Sequence, residues 1–197
     1  MFSSYGEREH KVTYETIKAL NEKKQPYLIV TKSDLVAEYT DVLDKELAHI
    51  QITITCFDDE MYKKLDYEKA PLPSKRIEAV EKLNALGYDV SVRLSPFIPE
   101  FVDFDRLSKI KCDKLLVEFL RVNTWIKKWF DIDFTPYTVK QGGYSHLPLA
   151  KKLEYIDKIK SEYFKAITVC EDENEAYEYW KHNFNPNPDD CCNLRRN

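Results

Sequence analysis

Six polar residues stand at the ends of three apolar runs, and their placement suggests a ligand site. The runs are Tyr27-Leu-Ile-Val-Thr-Lys32, Ile50-Gln-Ile-Thr-Ile-Thr-Cys56 and Val90-Ser-Val-Arg-Leu-Ser-Pro-Phe97. Each is short, rich in β-branched or aromatic residues, and polar at its end, as buried strands of a parallel sheet are. In such sheets ligands sit beyond the strand carboxyl ends. Thr31, Lys32, Thr53, Thr55, Arg93 and Ser95 are therefore the candidates: the two cations for an anionic group, the hydroxyls for hydrogen bonds. Arg93 is the most constrained, because an arginine within a strand must point to one face and a buried guanidinium needs a polar or anionic partner. Two partners are open to it: a ligand carboxylate or ribose, or an internal salt bridge, with Glu118 as the candidate acid.

Other chemistries find less support. The five cysteines, Cys56, Cys112, Cys170, Cys191 and Cys192, are odd in number and widely spaced, which reads as reduced thiols. No CxxC or CxxxCxxC spacing occurs among them. His146, His182 and Cys170 fit no standard zinc pattern. Trp125, Trp129, Tyr137 and Tyr144 are interleaved with Lys127, Lys128 and Lys140. They read either as a base-stacking surface or as a stripe packed over the sheet. A net charge of −4 gives no support to nucleic-acid binding, although a local basic face is compatible with it. No apolar run approaches the ~18 residues of a membrane span. The amino terminus has neither the basic start nor the apolar core of a signal peptide, so a cytoplasmic protein is expected.

The elements that must position these residues follow βα grammar. With 197 residues, 43% hydrophobic and 32% charged, one sizeable domain or a domain with an extension is expected. Residues 3–9 read as a loop and Val12 to Asn21 as a helix. After the first strand, apolar spacing at Leu35, Val36, Tyr39, Leu43 and Leu47 predicts a helix to His49. A short helix is expected to Leu65, then one capped by Ser74 and closed by Gly87. Asp103 to Ile110 reads as a weak helix and Asp113 to Leu120 as a fourth strand. Beyond Arg121 the composition shifts. There a helix from Leu149 to Tyr163, a fifth strand from Phe164 to Cys170 and a helix from Glu173 to His182 precede a polar tail. The predicted organisation is a βα domain over 1–120 and an α-rich extension over 121–197 packed on it.

Four ordered segments carry a family resemblance. Pro26-Tyr-Leu-Ile-Val-Thr-Lys-Ser-Asp-Leu35 and Ile52-Thr-Ile-Thr55 resemble two successive strands of spore photoproduct lyase-like radical SAM proteins. Leu65-Asp-Tyr-Glu-Lys-Ala-Pro-Leu-Pro-Ser-Lys-Arg-Ile-Glu-Ala79 is similar to that family's loop and helix, and Leu86-Gly-Tyr-Asp-Val-Ser-Val-Arg-Leu-Ser-Pro-Phe-Ile-Pro99 to a further strand. The segments Gly142 to Leu149 and Ile167 to Asp172 resemble a subgroup of the same family. The resemblance implies an incomplete (β/α) barrel with mostly parallel strands that binds S-adenosylmethionine at its top. It implies Lys32 as partner of the methionyl carboxylate, with Thr53, Arg93, Ser95 and Ser3 (or Ser4) as further cofactor contacts. Ordinary strand, capping or solvated roles are the competing readings for these residues. It also implies a 4Fe–4S cluster held by CxxxCxxC after the first strand. This chain lacks that motif, so no cluster and no reductive cleavage are expected on the chain alone.

By the same resemblance the chain corresponds to the later part of such a barrel. It is expected to present an exposed sheet edge to an amino-terminal half or a partner chain. Thymine-dimer repair is not supported, since the region matching the family's hydrogen-donor cysteine reads Met-Phe-Ser-Ser-Tyr-Gly. The substrate is not indicated. The other reading is a βα scaffold that has lost catalysis and serves as a binding protein.

Overall fold

The computed structural model describes residues 4–65 and 70–194. Two short helices come first, α1 (Ser4–His10) and α2 (Val12–Glu22). Then follow β1 (Tyr27–Thr31), β2 (Ala48–Thr53), α3 (Asp59–Leu65), α4 (Pro73–Ala85), β3 (Asp89–Phe97), α5 (Phe104–Ser108) and β4 (Lys114–Phe119). The remainder is α6 (Ile126–Trp129), β5 (Val139–Gln141), β6 (Tyr144–His146), α7 (Leu149–Ile156), β7 (Ala166–Val169) and α8 (Asn174–Tyr179), continued by a π-helical turn to Phe184. Strands β1-β2-β3-β4-β7 form one parallel sheet in that order, and β5 and β6 form an antiparallel hairpin. The large sheet does not close on itself among the described residues, as expected of an incomplete barrel. The segment after Arg121 supplies its fifth strand, β7. No helix among the described residues is long and apolar enough to cross a membrane.

Alternation along the strands gives the sheet two unlike faces. Ile29, Ile50, Ile52, Val90, Val92, Leu115 and Val117 are all buried on one face, in a core shared with Val80 and Leu83 of α4. Each fully buried side chain of this kind contributes roughly 1.5–3 kcal/mol of transfer free energy. The other face carries His49, Gln51, Thr53, Asp89, Ser91, Arg93, Lys114, Glu118 and Thr168. This is the polar face, and the candidate site lies on it.

Local departures from the sequence expectations have physical causes. Residues 3–9 were expected to be a loop, but α1 forms. Its Glu7 carboxylate accepts hydrogen bonds from Thr13 N (2.8 Å), Tyr14 N (3.0 Å) and Tyr39 Oη (2.8 Å) and so caps α2. The helix expected from Asp34 to His49 is a 3-10 turn, Asp34–Glu38, followed by irregular chain. Here the apolar residues are buried without helical bonding, because side chains of other elements take the free carbonyls. Lys82 Nζ donates to Ala37 O (2.7 Å) and Tyr88 Oη to Thr40 O (3.0 Å). α4 starts at Pro73, and Ser74 donates to Asp59 Oδ2 (2.6 Å) instead of capping. α7 stops at Ile156. Gly142 and Gly143, at φ of 58° and 81°, form the turn of the β5–β6 hairpin.

Candidate functional site

The strand register assembles the site. Thr53 lies opposite Arg93, Arg93 opposite Leu116, and Leu116 opposite Thr168. Continuing the β1–β2 register by one residue past Thr31 and Ile52 sets Lys32 abreast of Thr53. Lys32, Thr53 and Arg93 thus form one row across the polar face near the strand carboxyl ends.

Above Lys32 is a cavity of about 290 Å³ lined by Lys32, Thr55, Tyr62, Pro96, Phe101, Trp129 and Phe130, together with Ile98. Lys32 is exposed, and so is Trp129 on α6 at 67%. Tyr62 is fixed by Arg76, whose guanidinium stacks 4.5 Å from the ring centroid and hydrogen-bonds the hydroxyl. The same Arg76, fully buried, donates to Thr53 O (3.1 Å) and so ties α3, α4 and the end of β2 together. Sequence reasoning quoted Arg76 within a motif and gave it no role. A larger cavity of about 490 Å³, lined by Asp58, Asp59, Glu60, Glu100, Asp103 and Arg106, has an acidic wall and none of the row residues.

Arg93 has partners within the chain. Its Nη2 lies 2.5 Å from Glu118 Oε2 and its Nη1 donates to Gln51 Oε1 (2.7 Å). Ser95 Oγ donates to the same Glu118 oxygen (2.8 Å). The salt bridge to Glu118 is therefore the arrangement found, with the Arg93 side chain 18% exposed. Thr53 is buried and Thr55 borders the cavity. Ser3 lies outside the described residues. Of the aromatic set, Trp125 and Trp129 are exposed and Tyr137 is buried, so the two tryptophans do not pack as a stripe over the sheet.

The structure also joins residues the sequence had kept apart. The carboxy-terminal tail lies on the polar face, where Lys114 Nζ donates to Asn193 O (3.0 Å). Cys170, at the end of β7, meets Cys191 and Cys192 there, with their sulfurs all within 4.8 Å of one another. Hydrogen bonds from Cys170 and then Cys191 draw the Cys192 thiol below its usual value, and Gln51 and the Arg93 charge add to this against the cost of burial. Contact with Cys191, above all, pushes Cys170 up. Cys56 and Cys112 differ: burial raises both, Cys112 to about 11, as for inert core thiols. The adjacent Cys191-Cys192 pair and a cysteine closing a strand were the only sequence hints. Their meeting depends on the path of the tail, which no local pattern encodes.

A second polar cluster lies beside this one. Lys152 of α7, fully buried, sits 2.9 Å from Glu171 Oε2 and 3.5 Å from Glu173 Oε2, and His146 Nδ1 is 3.7 Å from Glu171 Oε1. Glu173 also caps α8 through the amides of Glu175 and Ala176.

No family model matches the sequence. The uncharacterized protein MJ0683 of Methanocaldococcus jannaschii is 32% identical over 100 residues, which make up 50% of this chain and 38% of that protein. Among solved structures, a Cys-to-Ala variant of spore photoproduct lyase gives a TM-score of 0.60 at 15% identity, over 81% of this chain and 55% of that one. A doubly substituted spore photoproduct lyase with bound AdoMet and dinucleoside spore photoproduct gives 0.57 at 14% identity, over 83% and 56%. The chain thus spans just over half the length of these structures and less of the curated relative. At such identity the likeness is one of architecture, and it agrees with the four sequence motifs: over the part they share, this chain has the fold of the spore photoproduct lyase structures, with a parallel sheet that does not close among the described residues.

Proposed function

We propose that this chain is the S-adenosylmethionine-cradling part of a radical SAM protein. The observation that carries the reading is the cavity at the carboxyl ends of β1 to β3, with one lysine and several aromatic rings in its wall. An adenosyl group matches that wall. Aromatic faces stack on a purine for roughly 1–3 kcal/mol per base, and a lysine in that wall would pair with the carboxylate of the ligand. Arg76 holds the Tyr62 ring in position, and Thr55 offers a hydroxyl at the rim. Arg93, engaged by Glu118 and Gln51, orders the floor beside the cavity.

The 4Fe–4S cluster that such chemistry uses does not fit the donors present. The sequence has no CxxxCxxC, and the three thiols that converge are on a different part of the face, within 4.8 Å of one another. No reductive step is therefore assigned to this chain by itself. Its part is to bind and orient the cofactor, with catalysis depending on a cluster-bearing segment supplied elsewhere.

Calorimetric titration of S-adenosylmethionine and S-adenosylhomocysteine into the purified chain tests this. Both are expected to bind, and Lys32→Ala is expected to weaken both about tenfold, as the loss of one charge-assisted contact does. If neither ligand binds, or if Lys32→Ala and Trp129→Ala bind as the parent does, the cofactor-free scaffold becomes the better account.

A further inference from the structure

We propose that Cys170, Cys191 and Cys192 form a site for one soft divalent cation of the zinc class, with its fourth coordination position open toward the polar face. The inference stands apart from the S-adenosylmethionine reading, because none of the three residues lines that cavity.

The three sulfurs lie within 4.8 Å of one another, and the Cys170 and Cys191 sulfurs are 3.0 Å apart. Thiolates ~2.3 Å from a tetrahedral ion sit about 3.8 Å from one another, so one ion in their midst needs only sub-ångström adjustments. Three thiolates are soft ligands, which select zinc-like ions over magnesium or calcium. The chain holds the ligands in place from both sides. Cys170 N donates to Val117 O (2.9 Å), which fixes it to the sheet. In the tail, Asp190 accepts hydrogen bonds from Cys192 N (3.1 Å) and Leu194 N (2.6 Å), and Asn193 N donates to Asp190 O (2.9 Å). Lys114 then anchors the turn through Asn193 O.

The surroundings suit a thiolate-bound ion. Three thiolates and a divalent cation leave one negative charge, and the Arg93 guanidinium, bonded to Gln51 on the same face, is a cation there to offset it. Gln51 is 1% exposed, and apart from the Cys192 thiol that it faces, its Nε2 has no hydrogen-bond partner among the described residues. A buried amide donor beside a sulfur ligand is what a thiolate accepts from its surroundings, and such supports tune metal affinity by roughly 10–100-fold. A Cys170–Cys191 disulfide is the competing use of the same closeness.

The test is cobalt(II) titration of the full chain, purified anaerobically with thiols reduced, together with its metal content as isolated. Expected are thiolate-to-cobalt charge-transfer and tetrahedral d–d bands that saturate at one ion per chain and are bleached by one equivalent of zinc. Cys191→Ser and Cys192→Ser should each weaken binding at least tenfold while far-ultraviolet circular dichroism stays unchanged, and Cys56→Ser should bind as the parent does. Four results would overturn the proposal: no cobalt–thiolate bands in the reduced parent, full retention in both tail variants, a Cys170–Cys191 disulfide that persists under reductant, or iron with acid-labile sulfide instead of a single ion.

Discussion

The two ends of the polar face are finished differently. At the β4–β7 end the tail lies over the face and the strand edge is closed. Asn185 donates to Val169 O (2.9 Å) and accepts from Val169 N (2.8 Å), so its amide stands where a neighbouring strand would. Beneath the tail, polar Gln51, Ser91 and Thr168 are buried together with Leu116. At the β1 end nothing comparable is present among the described residues. Leu28 and Val30 point to the same face and remain 40% and 44% exposed, on a strand paired on one side only. Polar residues are buried at one end and apolar residues exposed at the other, the reverse of what an isolated sheet would choose. The covered end has its strand edge capped by the chain itself, whereas the β1 end leaves apolar side chains on a strand paired on one side only.

The comparison can be broken most forcefully at the covered end. Lys152→Ala leaves Glu171 and Glu173 buried without their cation, and is expected to cost about 3–5 kcal/mol in urea unfolding. The double change Lys152→Met with Glu171→Gln removes that ion pair and leaves only Glu173, which the α8 amides hold, so it should recover part of that loss. An effect of Lys152→Ala below about 1 kcal/mol would mean that the covered end is not the rigid one.

At the β1 end the strongest polar device is the Glu7 carboxylate. Burial opposes its ionisation, but the bonds from Thr13, Tyr14 and Tyr39 outweigh burial and hold its pKa below 4.5. Its contribution is therefore fully present above about pH 4.5 and is lost as the pH falls through the lower folded value. Glu7→Gln should cost about 1–2 kcal/mol at neutral pH and flatten the acid limb of the stability curve. An unchanged acid limb would show that Glu7 is not the titrating cap.

The smallest folding effect is expected from Val30→Lys, within about 0.5 kcal/mol at an exposed position. Its consequence should appear in association. The parent chain is expected to self-associate with rising concentration in sedimentation velocity, and the variant to shift toward monomer. A parent that stays monodisperse and monomeric would remove the β1 edge from consideration as a docking surface.

The regular parts of this molecule were legible from sequence because their signals are local. The β-branched runs that carry Lys32, Thr53 and Arg93 marked the strands and their shared face, and Gly87 marked the end of α4. Apolar spacing misled at Leu35 to Leu47, since a buried irregular segment shows the same apolar frequency as a helix when Lys82 and Tyr88 serve its carbonyls. The Arg93–Glu118 pair could be named as an alternative because alternation puts both on one face, but choosing between it and a ligand required coordinates. The thiol cluster was out of reach, because it is made by the return of the tail across four strands.

The irregular connection between β1 and β2 has a mechanical consequence. Its carbonyls are tethered to Lys82 and Tyr88, on α4 and just beyond it, while Arg76 of the same helix grips the end of β2 and the Tyr62 ring. A displacement of α4 would therefore act directly on the end of β2 and on the Tyr62 ring in the cavity wall. The cavity is thus joined to α4 through one ring, and a ligand stacked on Tyr62 would bear on that helix.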